Sequence, residues 1–175
     1  MTELDIQNNN NSLLAGVNGE LAKACHYMIE NARGEGHILI VAEGYRTPEL
    51  QDYYYAQGRT RPGPIITNAR GTQGKHTQRR AVDFDFVVDG VQSNANSNPW
   101  SVIGRYAANA GLTWGGNWAM RDYRHVETPS TSYRFPESLA TELPPDVFND
   151  SGTSSNSDYL LYGMGALFLV VLLTD

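Results

Sequence analysis

A single cysteine, Cys25, in 175 residues means that the chain cannot close an internal disulfide. Cys25 falls inside an apolar helical stripe, which reads as packing and not as a nucleophile, so the redox compartment is not legible from it. The N-terminus MTELDIQNNNNSLL lacks the charged start and apolar core of a secretory signal, and export by the general secretory route is not expected. Charge is scarce and leans acidic. Only 18% of residues are charged and the net charge is -6 at pH 7, which argues against nucleic acid as the main partner. The imbalance is local: Arg33 to Arg80 holds eight Lys/Arg against four Asp/Glu, whereas after Arg134 there are six acids and no base. A site in the basic part would suit an anionic substrate; a solvated surface with no steering role is the alternative.

What is present suffices for one domain with a real core, since 41% of residues are hydrophobic. The Asn run ending a leader at residues 1–11 reads as polar and loose. From Asn18 to Arg33, Leu21, Ala24, Cys25, Met28, Ile29 and Ala32 recur at spacings of three and four, predicting a helix capped by Asn18 and stopped by Gly34. HILIVAE (37–43) is short, β-branched and bounded by glycines, as in a buried strand. Thr47 and Pro48 start a second helix that ends at Gly58. Residues 59–75 form a long Gly- and Pro-rich loop of the kind that is usually functional. AVDFDFVV (81–88) alternates strictly, as in a half-buried strand whose open face carries Asp83, and Asp89-Gly90 signals a turn into a return strand. A third helix is expected from an Asn98 cap to Gly111, followed by strands at LTWGG and HVE around a loop.

The domain is bounded at residues 12–136, with an acidic linker at 137–158. Beyond it, sixteen uncharged residues (159–174) would reach about 24 Å as a helix, against a hydrocarbon core of about 30 Å. A membrane tail anchor or inserted helix is favoured, with a helix buried against the domain or another subunit as the alternative.

Four metal-capable side chains stand out: His76 and Asp83 in GKHTQRRAVDFDF, and Asp122 and His125 in RDYRHVE. Two histidines and a carboxylate form a ligand set for a catalytic zinc, which keeps a fourth position open. The division is His76, Asp83 and His125 on zinc, with Asp122 outside the ligand set to take a proton from water. Residues three apart in a strand face opposite sides, so a turn at Tyr123-Arg124 is required to bring Asp122 and His125 to one ion. Arg46, between a strand and a capped helix in EGYRTPELQ, is the candidate electrostatic partner for a developing oxyanion or a substrate carboxylate; a surface pair with Glu49 or Asp52 is the alternative.

GYRTPELQDYYYAQGRTRPGPIITNARGTQGKHTQRRAVDFDF, with GLTWGGNWAMRDYRHVE downstream, resembles the M15 family of zinc peptidases. That family includes D-Ala-D-Ala carboxypeptidases and dipeptidases and phage L-alanyl-D-glutamate endopeptidases. The match spans about Leu13 to Glu127 and is closest to the phage-endolysin branch, on QGRTRPG, TNARGTQG and WGGNW. The family motif Ser-x-His-x-x-Gly-x-Ala-x-Asp lands its histidine on His76 and its aspartate on Asp83. The last histidine lands on His125, the catalytic acid on Asp122, the family's arginine on Arg46 and a helix glutamine on Gln51.

The resemblance implies a small α+β fold, an antiparallel sheet with flanking helices, with one Zn2+ and cleavage of peptidoglycan stem peptides. Gly74, Arg79, Asn117 and Arg124 stand where the family usually has Ser, Gly, Asp and Pro. None removes a ligand, but Arg79 and Arg124 would place extra charge beside the metal. Tyr45, Trp114 and Trp118 are candidates for the substrate groove, with core packing as the alternative for each. The expected function is a phage-type peptidoglycan endopeptidase cutting L-Ala-D-Glu at the cell wall during lysis or penetration, with membrane or virion association through the C-terminal segment. A D-Ala-D-Ala carboxypeptidase and a catalytically silent wall-binding module are the alternatives.

Overall fold

The structure is a computed structural model and describes residues 1–141 and 143. Helix α1 (Glu3–Leu14) opens with a capping box, in which the Thr2 hydroxyl accepts from Asp5 N and the Asp5 carboxylate accepts from Thr2 N. Helix α2 (Gly19–Gly34) begins where the Asn18 side chain accepts from Glu20 N, and it buries the predicted stripe. Strand β1 (Ile38–Glu43) and helix α3 (Pro48–Ala56) follow, the latter capped by Thr47 with Pro48 in its first turn. Next come β2 (Ala81–Val88), β3 (Val91–Ser93), α4 (Ser101–Asn109), β4 (Thr113–Trp114), β5 (His125–Glu127) and the short α5 (Glu137–Ala140). All strand pairs are antiparallel and the sheet runs β1-β2-β5-β4, with β3 pairing the far end of β2. Asp89 and Gly90 make the β2–β3 turn at positive φ, 52° and 75°, the conformation this hairpin needs.

The strand alternation decides what each face does. Val82, Phe84 and Phe86 of β2, with Leu39 and Val41 of β1 and Val126 of β5, face the main core under α2 and α4. On the opposite face Ile38, Ile40 and Val87 pack with Ile6 of α1. This face was expected to be open; α1 closes its β1 end and leaves the part around Asp83 for the site.

The same helix corrects the reading of residues 1–11 as a loose leader. Asn10 is 3% exposed. Its Nδ2 donates to Leu39 O at 3.2 Å, its Oδ1 accepts from Val41 N at 2.7 Å, and Asn9 Nδ2 donates to Val41 O at 2.7 Å. These amides satisfy the free edge of β1, which would otherwise present unpaired backbone groups to other chains. Asn10→Ala leaves a buried N–H and C=O without partners and is expected to cost about 2 kcal/mol. Urea unfolding checks this, and a loss below about 0.5 kcal/mol, the range of an ordinary surface substitution, would contradict the role.

Two further boundaries differ from expectation. Helix α4 starts at Ser101, because the Asn98 side chain is spent on β3, its Nδ2 donating to Ser93 O at 2.9 Å, and cannot cap. The domain also does not stop at residue 136, since Leu139 and Ala140 of α5 pack on the core and Leu143 is 6% exposed within it. Among the described residues no helix is long and apolar enough to cross a membrane. The segment 159–174, read as an anchor, and most of the linker 137–158 lie outside the described residues.

Candidate metal centre

Asp83 pairs directly with His125 across β2 and β5, which puts both side chains on the face that α1 leaves uncovered. His76 arrives from a helical turn over residues 75–79 that follows a 3-10 turn at Gly71–Gln73. One ligand atom from each of His76, Asp83 and His125 lies within 4.8 Å of the others. The two rings converge on one oxygen: His76 Nε2 is 3.3 Å and His125 Nδ1 3.0 Å from Asp83 Oδ1. His76 Nδ1–H donates to Gly44 O at 2.8 Å, which fixes the tautomer and leaves Nε2 for the cluster. His125 Nε2 lies 3.2 Å from Glu127 Oε2, and Glu127 is itself 3.2 Å from Lys75 Nζ. A buried pair of imidazoles and a carboxylate, with the second nitrogen of each ring held by an oxygen, fits a three-ligand zinc site.

Burial opposes the charge on His125, but hydrogen bonds to Asp83 and Glu127 and the charges of Asp83 and Asp122 push its pKa up to about 9. Burial likewise opposes the charge on Asp83, and the bonds to His125 and His76 more than reverse this, holding its carboxyl far below the usual range. In the metal-free protein the His125 imidazolium therefore stabilises the fold fully below its unfolded pKa, and that contribution fades as pH rises through about 9. A metal must displace this proton. Metal uptake at pH 7 is expected to release about one proton per ion, and affinity to fall about tenfold per pH unit from 9 to 7. Calorimetry in buffers of different ionisation enthalpy measures the proton; no release would place His125 neutral in the free protein.

Asp122 lies on an exposed turn just before β5. Asp122 N donates to Gly115 O at 3.0 Å and His125 N to Asp122 O at 3.3 Å, so the chain reverses at Tyr123-Arg124 as the three-residue spacing requires. Gly115 is needed for space, because a Cβ there would stand 2.6 Å from Asp122 O and 3.2 Å from the Cβ atoms of Asp122 and His125. The Asp122 charge reaches His125, while among the described residues no hydrogen bond engages its carboxylate.

Arg46 pairs with neither Glu49 nor Asp52. Its Nε donates to Glu43 Oε1 at 2.6 Å, its Nη2 pairs with Glu43 Oε2, and its Nη1 donates to Gln51 Oε1 at 2.8 Å. Burial opposes the charge on Arg46, but Glu43 and the charge of Asp83 raise its pKa further. Glu43 reaches this place because the β1 register shifts between Val41 and Glu43, setting Glu43 opposite Asp83. Gln51, expected at the substrate, is 1% exposed. Its Nε2 donates to Thr67 Oγ1 and Ala69 O while its Oε1 accepts from Arg46, so it fastens the loop to Arg46 and has no surface for a ligand.

Trp114 is corrected to packing. Cβ atoms at Gly104 and Gly116 would stand 2.4 Å and 2.2 Å from its ring, and its Nε1 donates to Tyr123 O. Trp118 is the tryptophan at the site, partly exposed with its ring 5.1 Å from that of His125. Tyr45 is exposed beneath the Arg79 guanidinium, 4.2 Å from its ring centre. Arg79 sits at φ 60°, a conformation that favours glycine, and its Nη1 donates to Gly16 O. Arg124 adds no free charge beside the metal site, since it is paired with Asp85, whereas Arg79 is held over Tyr45 by its bond to Gly16 O. The sequence reading missed Glu127 and Glu43. Period two along β5 placed Glu127 on the face of His125, whereas the β1 irregularity that turns Glu43 has no local signature.

Known proteins share parts of this sequence and fold. A family model described as D-alanyl-D-alanine carboxypeptidase, of the M15 peptidases, matches residues 67–128, which include all four of His76, Asp83, Asp122 and His125. The four residues of the site thus all fall inside the stretch that is similar to the M15 peptidases. The peptidoglycan L-alanyl-D-glutamate endopeptidase CwlK of Bacillus subtilis (strain 168) is 34% identical to this chain over 108 residues. That alignment covers 55% of this chain and 64% of CwlK, so the chain spans somewhat less than two thirds of this curated relative. The crystal structure of the Serratia marcescens L-Ala D-Glu endopeptidase ChiX shares the fold, with a TM-score of 0.56 at 20% identity over 69% of this chain and 86% of that one. The α+β architecture with a small antiparallel sheet is thus shared with that structure.

Proposed function

We propose that this protein is a zinc-dependent peptidase of the bacterial cell wall that hydrolyses amide bonds in peptidoglycan stem peptides, with L-Ala-D-Glu as the bond cut. The observation that carries the proposal is the convergence of His76 Nε2 and His125 Nδ1 on Asp83, with Asp122 on the adjoining turn. Zinc held by His76, Asp83 and His125 would supply Lewis acidity toward the scissile carbonyl and acidify the attacking water. Gly44 O and Glu127 orient the two imidazoles. Asp122 accepts the proton of the attacking water and passes it to the departing amine. Arg46, held flat by Glu43 and Gln51, has two further guanidinium N–H groups that can hydrogen-bond the carbonyl oxygen as it becomes negative. The exposed Trp118 face forms one wall for the peptide. The choice of bond is supported by likeness to CwlK over 55% of the chain. A phage-type role in wall lysis or entry is the setting we assign, from QGRTRPG, TNARGTQG and WGGNW.

Digestion of purified peptidoglycan by wild type and Asp122→Ala, with the new termini identified by mass spectrometry, tests this. New N-terminal D-Glu in the wild-type digest alone is the expected result. Loss of terminal D-Ala instead would make it a carboxypeptidase, the activity that the family description names. Zinc-loaded wild type that binds the wall and leaves it intact would make it a binding module.

A further inference from the structure

The turn between the Gly115 loop and β5 carries both Asp122 and His125, but only His125 is also fixed through its side chain. Main-chain bonds of Asp122 to Gly115 and His125, and Trp114 Nε1 donating to Tyr123 O, hold the turn from one side, and a further anchor lies at Arg124. Its Nε donates to Asp85 Oδ1 at 2.6 Å and its Nη2 to Asp85 Oδ2 at 3.1 Å, a two-point ion pair. Asp85 is 3% exposed and also accepts from Gln92 Nε2 at 2.7 Å, so this anchor is itself fixed. The Arg124 carbonyl accepts from Phe84 N at 2.9 Å. Residue 124 is thus fastened to β2 through both main chain and side chain, two residues after Asp122 and one before His125.

We propose that Arg124 is a positioning residue. Its pair with Asp85 sets the turn that aims the Asp122 carboxylate, so that Arg124 acts on the reaction through Asp122 without touching substrate. The proposal rests on the reading of Asp122 as proton acceptor. It also explains an arginine beside the metal site that brings no net charge: Asp85 lies two residues from Asp83 on the same strand face and neutralises it.

The test is a double-mutant cycle of Arg124→Met and Asp122→Asn on the metal-loaded protein, read by kcat, KM, metal content and the visible spectrum of the cobalt-substituted form. Misplacing a catalytic group by an ångström costs about 10²-fold, so Arg124→Met is expected to lower kcat by about that factor with KM changed less than about threefold. Metal content and the cobalt spectrum stay as in wild type. Added to Asp122→Asn, the same substitution costs less than about twofold further, because its target is gone. Arg124→Lys, which keeps one charged contact, recovers part of kcat. Should Arg124→Met fold poorly, Asp85→Asn keeps one acceptor oxygen for Arg124 Nε while removing the charge and the second contact, and gives the same comparison. An unchanged kcat in Arg124→Met, or an equal loss in the Asp122→Asn background, overturns the proposal while leaving Asp122 as the base. A fully active Asp122→Asn overturns both, and is read separately from the same set.

Discussion

Replacing Asp122 by asparagine is expected to lower kcat by roughly 10²–10⁴-fold, the range attributed to a positioned general base, while one metal ion per chain is retained. The separation follows from the geometry. His76, Asp83 and His125 meet without Asp122, and no side-chain hydrogen bond among the described residues depends on its carboxylate. Its backbone bonds to Gly115 and His125 survive the substitution, so the turn and the fold remain. Asparagine keeps the shape and removes only the capacity to take a proton. Equal metal loss in Asp122→Asn would make this residue a ligand and the division of the four side chains wrong.

His76→Ala is expected to fail earlier in the sequence of events, by losing the metal. Outer partners of metal ligands alone are worth about 10–100-fold in affinity, so loss of a ligand itself should cost more than about a hundredfold. The imidazole is nearly fully buried and its Nδ1 proton is committed to Gly44 O, so no other described side chain stands ready to replace it. Activity disappears with the metal in this variant, whereas in Asp122→Asn it disappears without it. Metal analysis after gel filtration separates the two. His76→Ala that retained a full equivalent of zinc would mean that the ion binds elsewhere.

Much of this was legible in the chain because it is local. The α2 stripe, the Asn18 and Thr47 caps, the alternation of β2 and the Asp89-Gly90 turn are short-range signals, and each produced its element. The turn at Tyr123-Arg124 followed from spacing alone. What was not legible depends on partners distant in sequence. The Asn run looked like solvent-exposed low complexity because its function, satisfying the edge of β1, is set about thirty residues away. Gln51 and Trp114 have the chemistry of ligand-contacting residues, and only the packing shows one spent on Arg46 and the loop and the other wedged against glycines. Arg124 read as loose charge until Asp85 was found beside it.

The claim on which the rest depends is that one zinc at His76, Asp83 and His125 makes this domain a peptidase of cell-wall peptides. The direct measurement is hydrolysis of a purified stem-peptide muropeptide by protein stripped with chelator and then titrated with zinc. No cleavage is expected in the stripped protein, with recovery that saturates at one equivalent and gives new D-Glu amino termini, and no recovery in His76→Ala at the same zinc. Undiminished cleavage after stripping, or recovery by zinc in His76→Ala, would contradict this claim.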